Sequence, residues 1–268
     1  MENEIVEISQ IETLQAINRS EIDIQISTAK QYPRDLSSVL KNIRDYATID
    51  AETAADCFYA LKRGQGNDAS VIEGLSVRMA EIFASSWGNL RVQTRIIGND
   101  GKTITAQGIC HDLETNVAVS VEVKRRITNK YGKTFSEDMQ VVTGNAASAI
   151  AFRNAVFKVI PKALTKKIVE EIKKASLPPI SDMESKREKT IKWFTDRGVK
   201  VEEILKYIES DSIENIGIEQ LLTLRSTANA INEGTTTIEE TFHQRETIEE
   251  MKKEMKTKTD KQGKLNLP

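Results

Sequence analysis

The residues of this chain best suited to chemistry are cations, not nucleophiles. Lys124, Arg125 and Arg126 close a segment in which apolar and polar residues alternate. Lys130 and Lys133 follow in Thr128-Asn-Lys-Tyr-Gly-Lys-Thr-Phe-Ser136, interleaved with Tyr131 and Phe135. Arg153, Lys158, Lys162 and Lys166 come next. Several Lys/Arg along one track neutralise successive phosphates, and each contact adds a counterion-release contribution. An aromatic ring beside such a track can stack on a base, worth about 1–3 kcal/mol for any base, which suits single strands better than duplex. The plainer alternative makes the Lys/Tyr/Gly loop a solvated hairpin tip and packs Phe135 on a sheet.

Other chemistries find little support. His111 and His243 are far apart and neither has partners at a spacing that would build a triad or a metal site. GxxxxGK[ST] is absent, so no phosphate loop of an ATPase is expected. Gly144-Asn-Ala-Ala-Ser148 is not a dinucleotide fingerprint. Asp112, Glu114 and Glu122 are near in sequence but read as turn and exposed-strand residues, not a two-metal cluster. Cys57 and Cys110 form no CxxC pair, which excludes a zinc ribbon and suits two free thiols in a reducing compartment. The expectation is a protein that is not an enzyme and needs no cofactor or metal.

The net charge of −2 conceals an asymmetry. Residues 1–61 hold 5 Lys/Arg against 11 Asp/Glu, residues 62–175 hold 18 against 11, and residues 176–268 hold 15 against 18. A basic middle between acidic flanks fits an anion-binding core with solubilising or regulatory ends. No run of about 18 apolar residues is present and Met1-Glu-Asn-Glu-Ile-Val-Glu lacks signal-peptide character, so a cytoplasmic protein without membrane contact is expected.

The elements that must position the cations read as follows. Residues 1–35 show only short alternation, Glu21-Ile-Asp-Ile-Gln-Ile26, and read as an arm with one edge strand. Leu36–Ile49 carries Leu36, Val39, Leu40, Ile43 and Tyr46 on one helical face. Asp50 can cap a helix running to about Arg63 and stopping at Gly64 and Gly66. Ser70-Val-Ile-Glu73 reads as a capping box opening a helix to Trp87, with Val71, Leu75, Met79, Ile82 and Phe83 buried. Three strands follow as a meander, Arg91–Ile97, Thr103–Cys110 and Val117–Ile127, joined by turns at Gly98-Asn-Asp-Gly101 and Asp112–Asn116. Val117, Val119, Val121 and Val123 share one face, and Ala118, Ser120, Glu122 and Lys124 the other. A helix from Glu137 to Ile160, rich in Gly and Ala, can lie close to that sheet. Pro161 either kinks it or begins another helix through Lys174; if the helix continues, Lys158, Lys162 and Lys166 form one stripe. Ser176-Leu-Pro-Pro179 is a linker, and Lys186–Arg197, Val201–Ser210 and Ile218–Asn232 read as three short helices of a small bundle. The polar tail, Lys256–Pro268, is expected to be disordered. The fold class is therefore α+β: an antiparallel β-meander packed by helices, with a small C-terminal helical domain. The expected divisions are an arm at 1–35, a core at 36–175, a linker at 176–185, a helical domain at 186–234 and a tail at 235–268.

Gly74-Leu-Ser-Val-Arg-Met-Ala-Glu81, Trp87-Gly-Asn89, Asp112-Leu-Glu-Thr-Asn116 and the Asn145…Ala151-Phe-Arg153…Val159-Ile-Pro161 helix resemble the RecT/Redβ/Erf superfamily of phage single-strand annealing proteins over about residues 36–175. The resemblance implies ATP-independent coating of single-stranded DNA and pairing of complementary strands in phage homologous recombination, by a homo-oligomeric ring or filament. It implies a groove between the meander and the following helix, holding Lys124, Arg125, Arg126, Lys130, Lys133, Arg153 and Lys158. Tyr131, Phe135 and Lys162 extend the same candidate surface. It also implies that residues 186–234 contact a host single-strand binding protein, with Lys192, Arg197, Lys200 and Arg225 meeting an acidic tail. Two other readings remain: a nucleic-acid-binding replication accessory protein that does not anneal, and a phage structural or adaptor protein with an incidental basic surface.

Overall fold

A computed structural model describes residues 2–63, 70–129, 131–177 and 182–242. Lys130, His243, the Gly64–Gly66 stop, residues 178–181 of the expected linker and the tail beyond Phe242 lie outside the described residues. The class is α+β, and the chain divides into two compact units, Met1–Phe58 with Gly74–Pro178, and Tyr59–Glu73 with Pro179–Pro268.

The first unit begins with helix α1 (Glu2–Gln31), where an arm with an edge strand was expected. Ile22, Ile24 and Ile26 alternate, yet Ile22, Ile26 and Ala29 also fall at i, i+4 and i+7. The helical period wins: Ala29 is buried, Ile22 and Ile26 are half-buried, and Ile24 stays exposed. Helix α2 (Leu36–Ala47) is capped by Asp35, whose carboxylate accepts from Ser38 N at 2.8 Å, and it buries Val39, Ile43 and Ala47. Leu36 and Tyr46, expected inside, are exposed. Asp50 does cap α3, but α3 is short (Ala51–Asp56). The next residues form strand β1 (Phe58–Arg63), paired with β2 (Ser70–Leu75). The capping-box reading of Ser70–Glu73 therefore fails. Val71 and Ile72 are β-branched and enter a strand, and the cap is Ser76, whose Oγ accepts from Met79 N at 3.1 Å to start α4 (Val77–Trp87).

The meander is as expected: β3 (Leu90–Asn99), β4 (Thr103–Asp112) and β5 (Val117–Arg126), antiparallel in that order. Along β4, Ile104, Ala106, Gly108, Cys110 and Asp112 alternate inward. Their β5 partners are Arg125, Val123, Val121, Val119 and Val117, so these residues face the same side. Helix α5 (Glu137–Val159) covers that side with Gly144, Ala147, Ala151 and Ala155. A Cβ built on Gly108 would lie 2.3 Å from the Ala151 carbonyl oxygen, so only glycine admits the helix this close. Ile104, Ala106, Ile127, Ala147 and Ala151 pack there, with Phe135 and Val123 against them.

The larger core of this unit joins α2, α4, α5 and α6 (Lys162–Ala175) through Ile43, Met79, Phe83, Trp87, Val156, Ile160 and Ile172. Phe83 and Phe157 meet edge to face at 5.4 Å. Cys57 and Cys110 are free and buried, and burial pushes both thiols up to about 12, so both stay protonated and inert.

The second unit contains most of β1 and β2, within Tyr59–Glu73, together with α7 (Met183–Thr195), α8 (Val201–Ile208), α9 (Ile218–Asn232) and α10 (Ile238–Phe242). Its core is Phe194, Ile204, Ile216, Leu221 and Leu224. Phe242 closes it against Phe194 and Tyr207, with ring centroids 5.3 and 5.0 Å apart. The buried Tyr207 hydroxyl bonds Thr227 Oγ1 at 3.0 Å.

Gly108→Ala should force α5 off β4. Overpacking of this kind costs about 1–3 kcal/mol, read as a lower urea midpoint by far-ultraviolet circular dichroism. An unchanged midpoint would show that the close approach is not required.

Candidate nucleic-acid interface

Register divides the three clustered cations of β5. Arg125 pairs with Ile104 and is half-buried on the helix-covered side of the sheet. Lys124 and Arg126, partners of Thr105 and Thr103, are exposed on the open side. Of these three, Arg125 alone lies on the side of the expected groove between meander and helix. Strand β5 is an edge strand with β4 as its one neighbour in the sheet, so all three still flank the same edge.

The loop after β5 is built by hydrogen bonds, not left as a loose hairpin tip. Thr128 and Thr134 form an isolated antiparallel bridge. The Asn129 side-chain oxygen accepts from Tyr131 N at 2.9 Å and Lys133 N at 3.0 Å, and Gly132 takes a φ of +80° that favours glycine. Thr134 Oγ1 donates to Gly101 O at 3.0 Å, Phe135 N to Ile127 O at 2.8 Å, and Ile127 N to Lys102 O at 2.8 Å. These bonds hold the exposed Tyr131 (79 %) and Lys133 beside the β3–β4 turn, with Lys102 and Arg126 adjacent. The turn itself is fixed by Asp100. Backbone N–H groups of Thr103 and Lys102 bond its carboxylate and bring it down to about 2. Phe135 is half-buried against the small core, which is the plainer of the two expectations for it.

Helix α5 separates the remaining candidates. From Glu137 to Lys158 is about 32 Å at 1.5 Å per residue, so Lys158 and Lys162 sit at the opposite end of the helix from the loop. Both are exposed. They do not form a continuous stripe with Lys166: Ile160 is extended (ψ 123°) and α6 starts afresh after Pro161. Arg153 is 6 % exposed, so it is an interior residue and not a surface phosphate ligand. Its Nε points at Asn154 Oδ1, 3.4 Å away.

Two useful cations were missed. Lys102, in the turn, follows from hairpin register. Arg95 pairs with Gln107, which pairs with Glu122, and so lies on the open side with Lys124 and Arg126. The alternation of β3 was the available signal.

The sequence segments around Trp87 and Asp112 have a structural role that was not anticipated. Asp112 is 5 % exposed and not a plain turn residue. Arg34 reaches it with two bonds, Nη1–Oδ2 at 2.7 Å and Nη2–Oδ1 at 2.5 Å. Arg34 Nε and its backbone N donate to Glu114 Oε1 at 2.8 and 2.9 Å. Asn89 Nδ2 donates to the same oxygen at 2.6 Å and to Tyr32 O at 2.9 Å. The Arg34 guanidinium also lies 5.1 Å from the Trp87 ring centroid. This cluster fastens the α1–α2 junction to the end of the sheet remote from the cationic loop. His111 Nε2 lies 2.9 Å from Asn116 Oδ1, and among the described residues no group of three or more His, Cys, Asp or Glu could hold a metal ion. No described helix is long and apolar enough to cross a membrane.

In the second unit, of the four cations expected to meet an acidic tail, Lys192, Arg197 and Lys200 are exposed and Arg225 is half-buried; Lys192 pairs with its own helix neighbour Asp196 at 2.8 Å.

Removing Arg34 would strand a buried charge on Asp112. Arg34→Met should therefore cost about 3–5 kcal/mol in urea denaturation, and an unaltered midpoint would contradict the role given to it. Glu114 feels burial, which raises its pKa, but the bonds from Asn89 and Arg34 outweigh this and hold it below its ordinary value of 4.5. A depressed carboxylate stabilises the fold fully above that ordinary value, and its contribution is lost as pH falls through the lowered one. Glu114→Gln should accordingly flatten the acid limb of the stability profile below about pH 4.5; an identical limb would contradict this.

Compared with protein-family models, with curated proteins and with solved structures, the chain matches none.

Proposed function

We propose that this protein binds single-stranded DNA and anneals complementary strands without ATP, as a homo-oligomer serving phage recombination. The observation that carries this reading is the gathering of Lys102, Lys124, Arg126 and Lys133 around the exposed Tyr131, at one end of the meander. Cations on an edge strand can neutralise a backbone while a ring stacks on a base, and neither contact reads sequence. Strand pairing needs no covalent step. Neutralised phosphates no longer repel the incoming strand, and a backbone held against protein leaves base edges free to test complementarity. No general acid, base or cofactor enters this scheme.

The interface is smaller than the resemblance implies. Lys124, Arg126, Lys133 and Tyr131 form its centre, with Arg125 beside them across the sheet edge. Arg153 is internal, so replacing it would test folding and not binding.

Fluorescence anisotropy with a labelled oligo(dT) tests the assignment. Lys124→Ala, Arg126→Ala and Lys133→Ala together should weaken binding at least about tenfold and reduce the salt slope by about 2, at roughly 0.7 per lost contact. Tyr131→Ala alone should cost about 1–3 kcal/mol. Unchanged affinity and slope in the triple variant, with circular dichroism intact, would remove the interface from this end of the sheet.

A further inference from the structure

We propose that α7 carries a second contact for single-stranded nucleic acid, built on Lys186, Lys189, Trp193 and Arg197. The inference takes the choice of ligand from the function proposed above and places it on a different unit. Helix α7 turns Met183, Ile191 and Phe194 into its core. Lys186, Lys189 and Trp193 recur at i, i+3 and i+7 and form a separate stripe. Arg197, in the turn after the helix, continues it over a length of about 16 Å.

The end of the stripe is pre-organised. The Arg197 guanidinium carbon lies 3.9 Å from the Trp193 ring centroid, and Arg197 Nη1 donates to Trp193 O at 3.0 Å. The indole is itself held edge to face against buried Phe194 at 4.7 Å. A stacked arginine keeps a planar fork in one orientation, with five N–H donors of which that bond uses one. Trp193 is half-buried, so the ring retains an accessible part.

The charges around the stripe favour an anion. Residues 183–200 hold six Lys/Arg against three Asp/Glu, within a C-terminal third that is net acidic. Lys192 holds both oxygens of Asp196 at 2.8 and 2.9 Å, which offsets the carboxylate nearest Arg197. Glu184 and Glu188 project from the far side of the helix at 100° per residue. An acidic peptide would use the cations but has no need of the ring. A nucleic-acid strand uses both: phosphates meet Lys186, Lys189 and Arg197, and a base stacks on the Trp193–Arg197 pair.

Intrinsic fluorescence of the full chain tests this, because the chain has two tryptophans and Trp87 is 3 % exposed. Oligo(dT) titrated at low salt should quench the emission, and Trp193→Phe should abolish the quenching. Lys186→Ala, Lys189→Ala and Arg197→Ala together change no core residue and should raise the midpoint of quenching about tenfold. Quenching should persist in the Lys124→Ala, Arg126→Ala, Lys133→Ala variant, which separates failure here from failure of the interface on the sheet. Absence of quenching, or quenching indifferent to the α7 substitutions, would overturn the proposal. Displacement of the oligonucleotide by polyglutamate at equal charge would also overturn it and give the stripe to an acidic protein segment.

Discussion

The first unit depends on the closeness of one helix to one strand. At Gly108 and Ala151 the backbones of β4 and α5 meet with no side chain between them. That contact fixes the height of α5 above the sheet and leaves the space around it to Ile104, Ala106 and Ile127. It also decides which face of the meander is covered and which stays open. The exposure of Lys124 and Arg126, and the partial burial of Arg125 one residue away, follow directly from it.

Two polar anchors hold the ends of this sheet. At one end Arg34 is shared between Asp112 and Glu114 beneath the Trp87 ring. Buried ion pairs of this kind add little net stability, because desolvation offsets most of the attraction, but losing one partner is expensive. The cluster therefore acts mainly as a register device, tying α1 and α2 to the strand ends. At the other end, Asp100 fixes the β3–β4 turn and Thr134 and Phe135 fasten the following loop onto the sheet. The candidate interface sits at the second anchor, on the end of β5 and the short, heavily bonded loop after it, which can hold a side chain in place without moving α5.

Much of this was legible because local signals agreed with one another. The β3–β5 meander and α5 combine strong turn residues with unbroken period-two and small-residue patterns. Where two periods coexist, as at Ile22–Ile26, the sequence does not settle the element, and tertiary burial of Ala29 chooses the helix. Ser70–Glu73 matched a capping box, but Val71 and Ile72 favour a strand and the true cap, Ser76, lacks the acidic partner three residues on. The Arg34–Asp112 pair spans 78 positions and has no local signature. The candidate site was half legible. The cations were identifiable, whereas their distribution was not: Arg153 is taken inside by packing around α5, and Pro161 breaks the stripe through Lys158, Lys162 and Lys166.

In the proposed function this cationic end pairs strands without chemical energy. It is tested most directly with two complementary oligonucleotides, one carrying a fluorophore and the other a quencher, mixed with the protein in the absence of ATP at low and at high salt. Quenching should be faster than the protein-free rate at low salt, and that advantage should disappear at high salt. Tight binding with no acceleration of pairing at low salt would contradict it and leave a single-strand binding protein that does not anneal.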